Sequence, residues 1–333
     1  MRLYDYLPSL ARWANAESIF THITDVVETS QSLQICEFLF DLFDNARIQF
    51  VDTLAGDEVG VVNNQNWNAY QLPALAAENG YEDLTFGDIA EEIKDKTRIS
   101  ITSSLLEIFT VAEDENCDAL LVEVDGRING SICLADVMKE PSLLYLSTLA
   151  FAVEAEVVEL CSLFPETYLC LSAQSQKESK QLCLQKKSRR LKEYLEIAKD
   201  CGIVPNRDTL LRERIQTTMM SDKKTMLLKS ELGLTSSNSR IRHVFQFCEK
   251  VRNYFGHPSA TFTRDRQEAA FLENANHEQI QADGTSAYLV SQSIASELSI
   301  GRLPELAKNV RWCHELIADV RKAICTRTNC PPE

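Results

Sequence analysis

The sequence predicts an α+β protein in two parts, with paired βαβ-type repeats over residues 1–140 and an all-helical bundle over 141–333. Three observations carry this. Before residue 140, short strand-like stretches alternate with helical ones; after it, long stretches keep a helical apolar period with few turn signals. A helix, strand, tight turn, strand, helix pattern occurs twice in the front part, with Gly60 and Gly130 equivalent and 70 residues apart, the spacing of a pseudo-symmetric pair rather than a solenoid. Charge also divides the chain: residues 1–140 hold 26 acidic against 8 basic residues, and 141–333 hold 23 against 26.

The elements follow in order. Residues 1–20, with Leu7, Leu10, Trp13 and Ile19, read as a short leading helix. In the first copy, residues 32–45 space Leu33, Cys36, Leu39, Phe40 and Phe43 as a helix does. Residues 47–54 then alternate like a strand, Ala55-Gly56-Asp57 turns, and 59–62 return. Residues 67–90, punctuated by Pro73, Asn79-Gly80 and Gly87, link the copies. In the second copy, 104–112 is helical, 119–124 a strand, Asp125-Gly126 a hairpin turn, 127–133 the returning strand, and 135–138 starts a helix. The back part reads as helices at 142–163, 167–201, 210–232, 239–256 and 303–324, with a polar loop over 259–290. Gly202 and Gly233 sit where helices stop, with Pro205 just beyond the first. Residues 139–142 form a short join, too short for a flexible linker.

Composition excludes several classes. With 44% hydrophobic and 25% charged residues the chain is not wholly disordered or collagen-like. No apolar run approaches the ~18–20 residues of a membrane span, and the start lacks the apolar region of a secretion signal. Eleven scattered cysteines without a CxxC read as reduced thiols of a cytoplasmic protein. No HxxxH, HExxH or carboxylate-histidine cluster indicates a metal site, and no GxxxxGK[ST], GxGxxG or GxSxG is present. The acidic front part repels a polyanion, whereas Lys186, Lys187, Arg189, Arg190, Lys192, Lys223, Lys224 and Lys229 gather basic charge in the back part. A solvated helix face explains the first of these clusters as well as nucleic-acid contact does.

The second copy reads Gly130-Ser131-Ile132-Cys133-Leu134-Ala135-Asp136. This resembles the CBS domain, whose repeats pair two-fold and whose strand pattern is Gly, apolar, any, Thr/Ser, any, any, Asp. Cys133 stands where a hydroxyl is usual, and the first copy ends on Asn66 in place of Asp. The resemblance implies an adenine nucleotide as regulatory ligand, its ribose hydroxyls on Asp136. A carboxylate accepts from two hydroxyls at once, whereas the Asn66 amide offers one acceptor. Lys94, Lys96 and Arg98, just before the second copy, are expected to meet the phosphate, with Val122 and Ile132 beside the base.

The string Arg252-Asn253-Tyr254-Phe255-Gly256-His257-Pro258 falls at the end of a predicted helix. On an ideal helix His257 lies ~140° round from Arg252, and the Gly256 and Pro258 breaks free it to swing back. Arginine supplies a fixed cation for a phosphate, and histidine moves protons near neutral pH. This resembles the HEPN family of helical bundles, whose RNA-cutting members carry Arg, four to six residues, then His. It implies a metal-independent endoribonuclease, with His257 in proton transfer, Arg252 on the phosphate, Asn253 supporting them, and a site completed across a homodimer. The expected partners are therefore an RNA substrate, a second copy and an adenine nucleotide, with no membrane, in a bacterial toxin or defence setting. Two rivals stay open: a non-catalytic dimerisation and nucleic-acid-binding module with a structural CBS pair, and the receiving subunit of a nucleotidyl-transfer system.

Overall fold

The computed structural model describes residues 3–22, 28–30, 48–52, 59–63, 91–92, 95–117, 119–185, 196–204, 206–256 and 298–328. The predicted helix at 32–45, the turn at 55–57, the link at 67–90 and the polar loop at 259–290 lie outside them, as do Asn66, Lys94 and His257. The chain is α+β and forms two compact units: one of residues 8–145 with 258–308, the other of residues 1–7, 146–257 and 309–333.

In the first unit, strands β1 (Thr21–His22), β2 (Glu28–Ser30), β3 (Ile48–Asp52), β4 (Val59–Asn63), β5 (Glu91–Glu92), β6 (Arg98–Ser100), β7 (Ala119–Val124) and β8 (Arg127–Cys133) make two four-stranded sheets. Their orders are β2-β3-β4-β5 and β6-β7-β8-β1. Each has a parallel pair, then an antiparallel hairpin, then an antiparallel fourth strand. The register restates the repeat: Gly60 faces Glu92 and Gly130 faces His22. The leading strand of each copy, β1 or β5, is paired to the hairpin of the other copy. The repeats thus exchange their first strands.

Local chemistry accounts for the second copy. Ser104 caps α3 (Leu105–Asp114): the Glu107 N–H donates to Ser104 Oγ, and the Glu107 carboxylate accepts from the Ser104 N–H at 2.6 Å. Leu105, Ile108, Phe109 and Ala112 recur at i, i+3, i+4 and i+7 and are buried. Asp125 and Gly126 have φ of 50° and 77°, the pair of left-handed residues that a two-residue hairpin turn matched to strand twist requires.

Residues 303–328 and 140–163 each form one helix, so the short join expected at 139–142 is largely the first turn of a helix. In the second unit, α5 (Glu140–Leu163, from Leu146 on), α6 (Ala173–Gln185), α7 (Arg207–Gln216), α8 (Met220–Lys229), α9 (Asn238–Gly256) and α10 (Leu303–Thr328, from Asn309 on) supply the core; earlier in the chain, α1 is Leu7–Trp13, α2 Ala16–Ile19 and α4 Leu134–Val137. The core includes Leu149, Val153, Val157, Leu160, Ile215, Met226, Phe245, Val251, Leu316 and Val320, all buried. Two predicted helices are broken. The one expected from residue 167 is a 3₁₀ segment over Pro165–Cys170, an extended Leu171, and then α6. The one expected at 210–232 is α7 and α8, parted where Thr217 and Thr218 bond back to the Arg214 and Ile215 carbonyls and Met219 is extended. Gly202 follows the helix end predicted there, with a φ of 64°.

Candidate functional site

Helix α9 buries Ile241, Val244, Phe245, Cys248 and Val251 along one stripe. Arg252 and Asn253 come next in sequence, so they rotate off that stripe in the helix's last turns. The Arg252 side chain is 37% exposed and Asn253 is exposed. The residue facing Arg252 comes from α5. Glu154 sits between buried Val153 and buried Glu156 in a helix that is apolar over most of its circumference. A carboxylate there needs a counter-charge. Among the described residues it has two: Lys223 Nζ of α8 lies 2.5 Å from Oε1, and Arg252 Nε lies 3.6 Å from Oε2. Lys223 is 3% exposed and also donates to the Thr218 carbonyl at 2.9 Å.

The cluster therefore holds two cations on one carboxylate, a net charge of +1. Its inner cation is buried and its outer one faces solvent. The Arg252 Nε is turned to Glu154, which leaves the four Nη–H donors outside that ion pair. Two such donors in a plane match two oxygens of a phosphate. The structure thus places Arg252 and Asn253 together at an exposed edge. The sequence reading missed Glu154 as a site residue, although a glutamate inside an apolar helical stretch is itself a sign of a buried partner, and it counted Lys223 in a basic cluster open to a polyanion, whereas Lys223 is buried against Glu154.

The Gly130-to-Asp136 segment has a different character. Gly130 pairs with Val122 on one side and His22 on the other. The strand ends at Cys133 and α4 starts at Leu134. Asp136 Oδ2 accepts from the Cys133 N–H at 2.9 Å, one half of a capping box; Cys133 stands where the reciprocal hydroxyl would be. The spacing from Cys133 to Asp136 is thus the spacing of a helix start. Oδ1 lies 2.7 Å from Lys139 Nζ, which also donates to the Ile19 carbonyl at 2.5 Å. Asp136 is 4% exposed, and Val122 and Ile132 are fully buried. Lys96 is exposed and 3.7 Å from Glu115; Arg98 is exposed on β6, two strands away from β8.

Other polar groups tie the helical unit together. The Asp319 carboxylate of α10 accepts from the Thr235 and Ser236 N–H groups and the Thr235 hydroxyl, at 2.7–3.0 Å. Burial pushes this carboxyl up, but those hydrogen bonds outweigh it and hold it below its ordinary range. Glu156 pairs with Arg321, which also reaches Asp5 and stacks over the Tyr4 ring at 4.3 Å. Burial pulls His314 down from its ordinary 6.5 and pushes the Cys161 thiol up to about 12. Cys248 and Cys313, buried between α9 and α10, place their sulfurs 3.8 Å apart. Among the described residues, no group of three or more His, Cys, Asp or Glu is disposed to hold a metal ion, and no helix is long and apolar enough to cross a membrane.

No family model and no curated protein matches the chain. Solved structures similar to part of it include the following two. An uncharacterized conserved protein from Pyrococcus horikoshii is 16% identical over 38% of this chain and 91% of its own, with a TM-score of 0.31. A CBS-domain containing protein from Agrobacterium tumefaciens is 18% identical over 34% of this chain and 81% of its own, with a TM-score of 0.28.

Proposed function

We propose that the chain is a nucleotide-regulated, metal-independent endoribonuclease of the HEPN type, working as a homodimer in the cytoplasm in a toxin or defence role. The observation that carries this reading is the part-exposed Arg252 guanidinium in the last turns of α9, its Nε 3.6 Å from Glu154, with exposed Asn253 beside it in sequence. The surplus positive charge of the Lys223–Glu154–Arg252 cluster suits a single phosphate. In this reading the RNA 2′-hydroxyl attacks the adjacent phosphorus, and the bond from phosphorus to the 5′-oxygen breaks. The product ends are a 2′,3′-cyclic phosphate and a 5′-hydroxyl. Arg252 stabilises the charge on the non-bridging oxygens as the phosphorus becomes five-coordinate. His257 takes the 2′-hydroxyl proton or returns one to the leaving oxygen. One imidazole serves one of these transfers at a time, and a two-fold axis supplies the second from the same sequence. Asn253 orients the pair.

The front repeats are, in the same reading, a regulatory module for an adenine nucleotide, with its ribose on Asp136. The −18 charge of residues 1–140 gives them no attraction for RNA. A second reading, a non-catalytic binding module with structural repeats, draws on one observation: the Asp136 oxygens already serve Cys133 and Lys139. Incubation of the purified chain with mixed RNAs in EDTA separates the two. The nuclease reading expects 2′,3′-cyclic phosphate ends from wild type and none from His257→Ala, with a dimer by sedimentation. Intact RNA, cleavage abolished by the chelator, or cleavage surviving in His257→Ala overturns it.

A further inference from the structure

We propose that the open side of α9 is a track for single-stranded RNA: a base stacks on the His243 ring beside Trp312, and Arg242 and Lys250 take phosphates on the way to Arg252. The reading of the chain as a ribonuclease underlies this track, which adds the strandedness and the contacts of the substrate. Helix α9 carries four basic residues, Arg240, Arg242, Lys250 and Arg252, against one acidic residue, Glu249. Its apolar stripe from Ile241 to Val251 is buried. On the other side Arg242, Gln246 and Lys250 stand at i+4 steps, with Asn253 three residues further, and all four are exposed. That ridge offers two cations for phosphates and two amides for base edges or sugars.

The two flanks of the ridge differ. His243 and Arg252 are nine residues apart, about 900° of helix, so they lie half a turn from each other, one on each flank. Arg252 borders α5 through Glu154. His243 borders α10, where its ring centre lies 5.7 Å from that of Trp312, with the planes at 44°. Glu315, three residues after Trp312, joins the two helices there. It accepts from Arg240 Nη1 at 2.6 Å and from Arg311 Nη1 at 2.5 Å, and both arginine side chains stay more than a third exposed. Trp312 is half-buried and His243 exposed, so the inner ring backs the outer one, which keeps surface open to solvent. An aromatic ring set among cations is what an unstacked nucleotide needs: a face for the base and a charge for the phosphate. In a duplex each base face is covered by its neighbours, so only a single strand can use the ring. An acidic peptide uses the cations and leaves the rings idle.

The test uses the full chain in EDTA and a short 2′-O-methylated oligoadenylate, which lacks the attacking hydroxyl and so stays intact, with fluorescence anisotropy reading the affinity. Wild type binds the single strand at least tenfold more tightly than the same oligonucleotide paired with oligouridylate. His243→Ala weakens single-strand binding at least fivefold, and His243→Phe, which keeps a ring, restores most of it. The double variant Arg242→Gln/Lys250→Gln makes the fall of log affinity with log salt shallower by about 1.4, from two phosphate contacts at ~0.7 each. No binding of the single strand, equal binding of the duplex, unchanged affinity in His243→Ala, a loss in His243→Phe as large as in His243→Ala, or an unchanged salt slope overturns the track. Where one of these results accompanies cleavage of unmodified RNA by wild type, the nuclease reading stands without the track. Binding as stated with no cleavage of unmodified RNA leaves the track in place and overturns the nuclease reading.

Discussion

The two units each set a carboxylate against a lysine, and the two arrangements differ in how the lysine is placed and in what else reaches the carboxylate. In the strand-exchanged unit, Asp136 meets the Lys139 ammonium, three residues along. In the helical unit, Glu154 meets Lys223, 69 residues away, and then a second cation, Arg252. The buried lysine already balances the carboxylate there, so the outer guanidinium is in surplus. In the proposed reading, the guanidinium in excess over Glu154 is the group left to meet an anion.

The sharpest way to break this comparison is to remove the carboxylate at its centre. Glu154→Ala leaves Lys223 buried without a counter-charge, which costs about 3–5 kcal/mol. Urea unfolding should show that loss, and the double variant Glu154→Ala/Lys223→Met should recover most of it. A loss below about 1 kcal/mol in the single variant means that Lys223 is not held by Glu154. A smaller effect concerns acid. The Asp319 carboxyl is depressed in the folded chain, so its contribution is complete above its unfolded value near pH 4 and disappears as pH falls through the folded value. His314 is depressed as well, so it adds no cost above its unfolded value near 6.5 and destabilises progressively as pH drops below that. Stability therefore declines in two stages on acidification. Asp319→Asn removes the lower stage and costs about 2 kcal/mol at pH 7, and His314→Gln flattens the upper. A single stage unaffected by either change contradicts these assignments. The smallest effect belongs to Arg252→Ala. Its ion pair is long and more than a third exposed, so screening leaves it worth under about 1 kcal/mol. A larger drop in unfolding free energy makes Arg252 a structural residue.

Local signals carried the sequence reading where they decide the geometry. Asp125-Gly126 specifies its turn through φ alone, Ser104 with Glu107 specifies the start of α3, and Gly60 and Gly130 mark the repeat. The exchange of leading strands was not legible, because Thr21–His22 and Glu91–Glu92 have no apolar pattern and their partners are chosen by tertiary pairing. The helix expected from residue 167 gives way to a 3₁₀ segment over Pro165–Cys170, too short for its apolar residues to separate a 3₁₀ from an α spacing at i, i+3. The parting of α7 from α8 carries no glycine or proline; it falls at Thr217 and Thr218, whose hydroxyls bond backward to carbonyls at i−3. Arg252 and Asn253 were legible as a motif. The pairing of Glu154 with Lys223 was not, because the sequence shows only a carboxylate in an apolar helix and a lysine in a basic cluster until the fold brings α5, α8 and α9 together. The site's third expected residue, His257, lies outside the described residues.

Single-turnover RNA cleavage in EDTA, comparing wild type with Arg252→Ala and Arg252→Lys, tests the central claim most directly. The account predicts that alanine lowers the rate at least a thousandfold, while lysine, a point charge without the planar fork, recovers only part of it, with melting temperatures within a few degrees of wild type. Cleavage by Arg252→Ala at the wild-type rate, or no cleavage by wild type, contradicts the account.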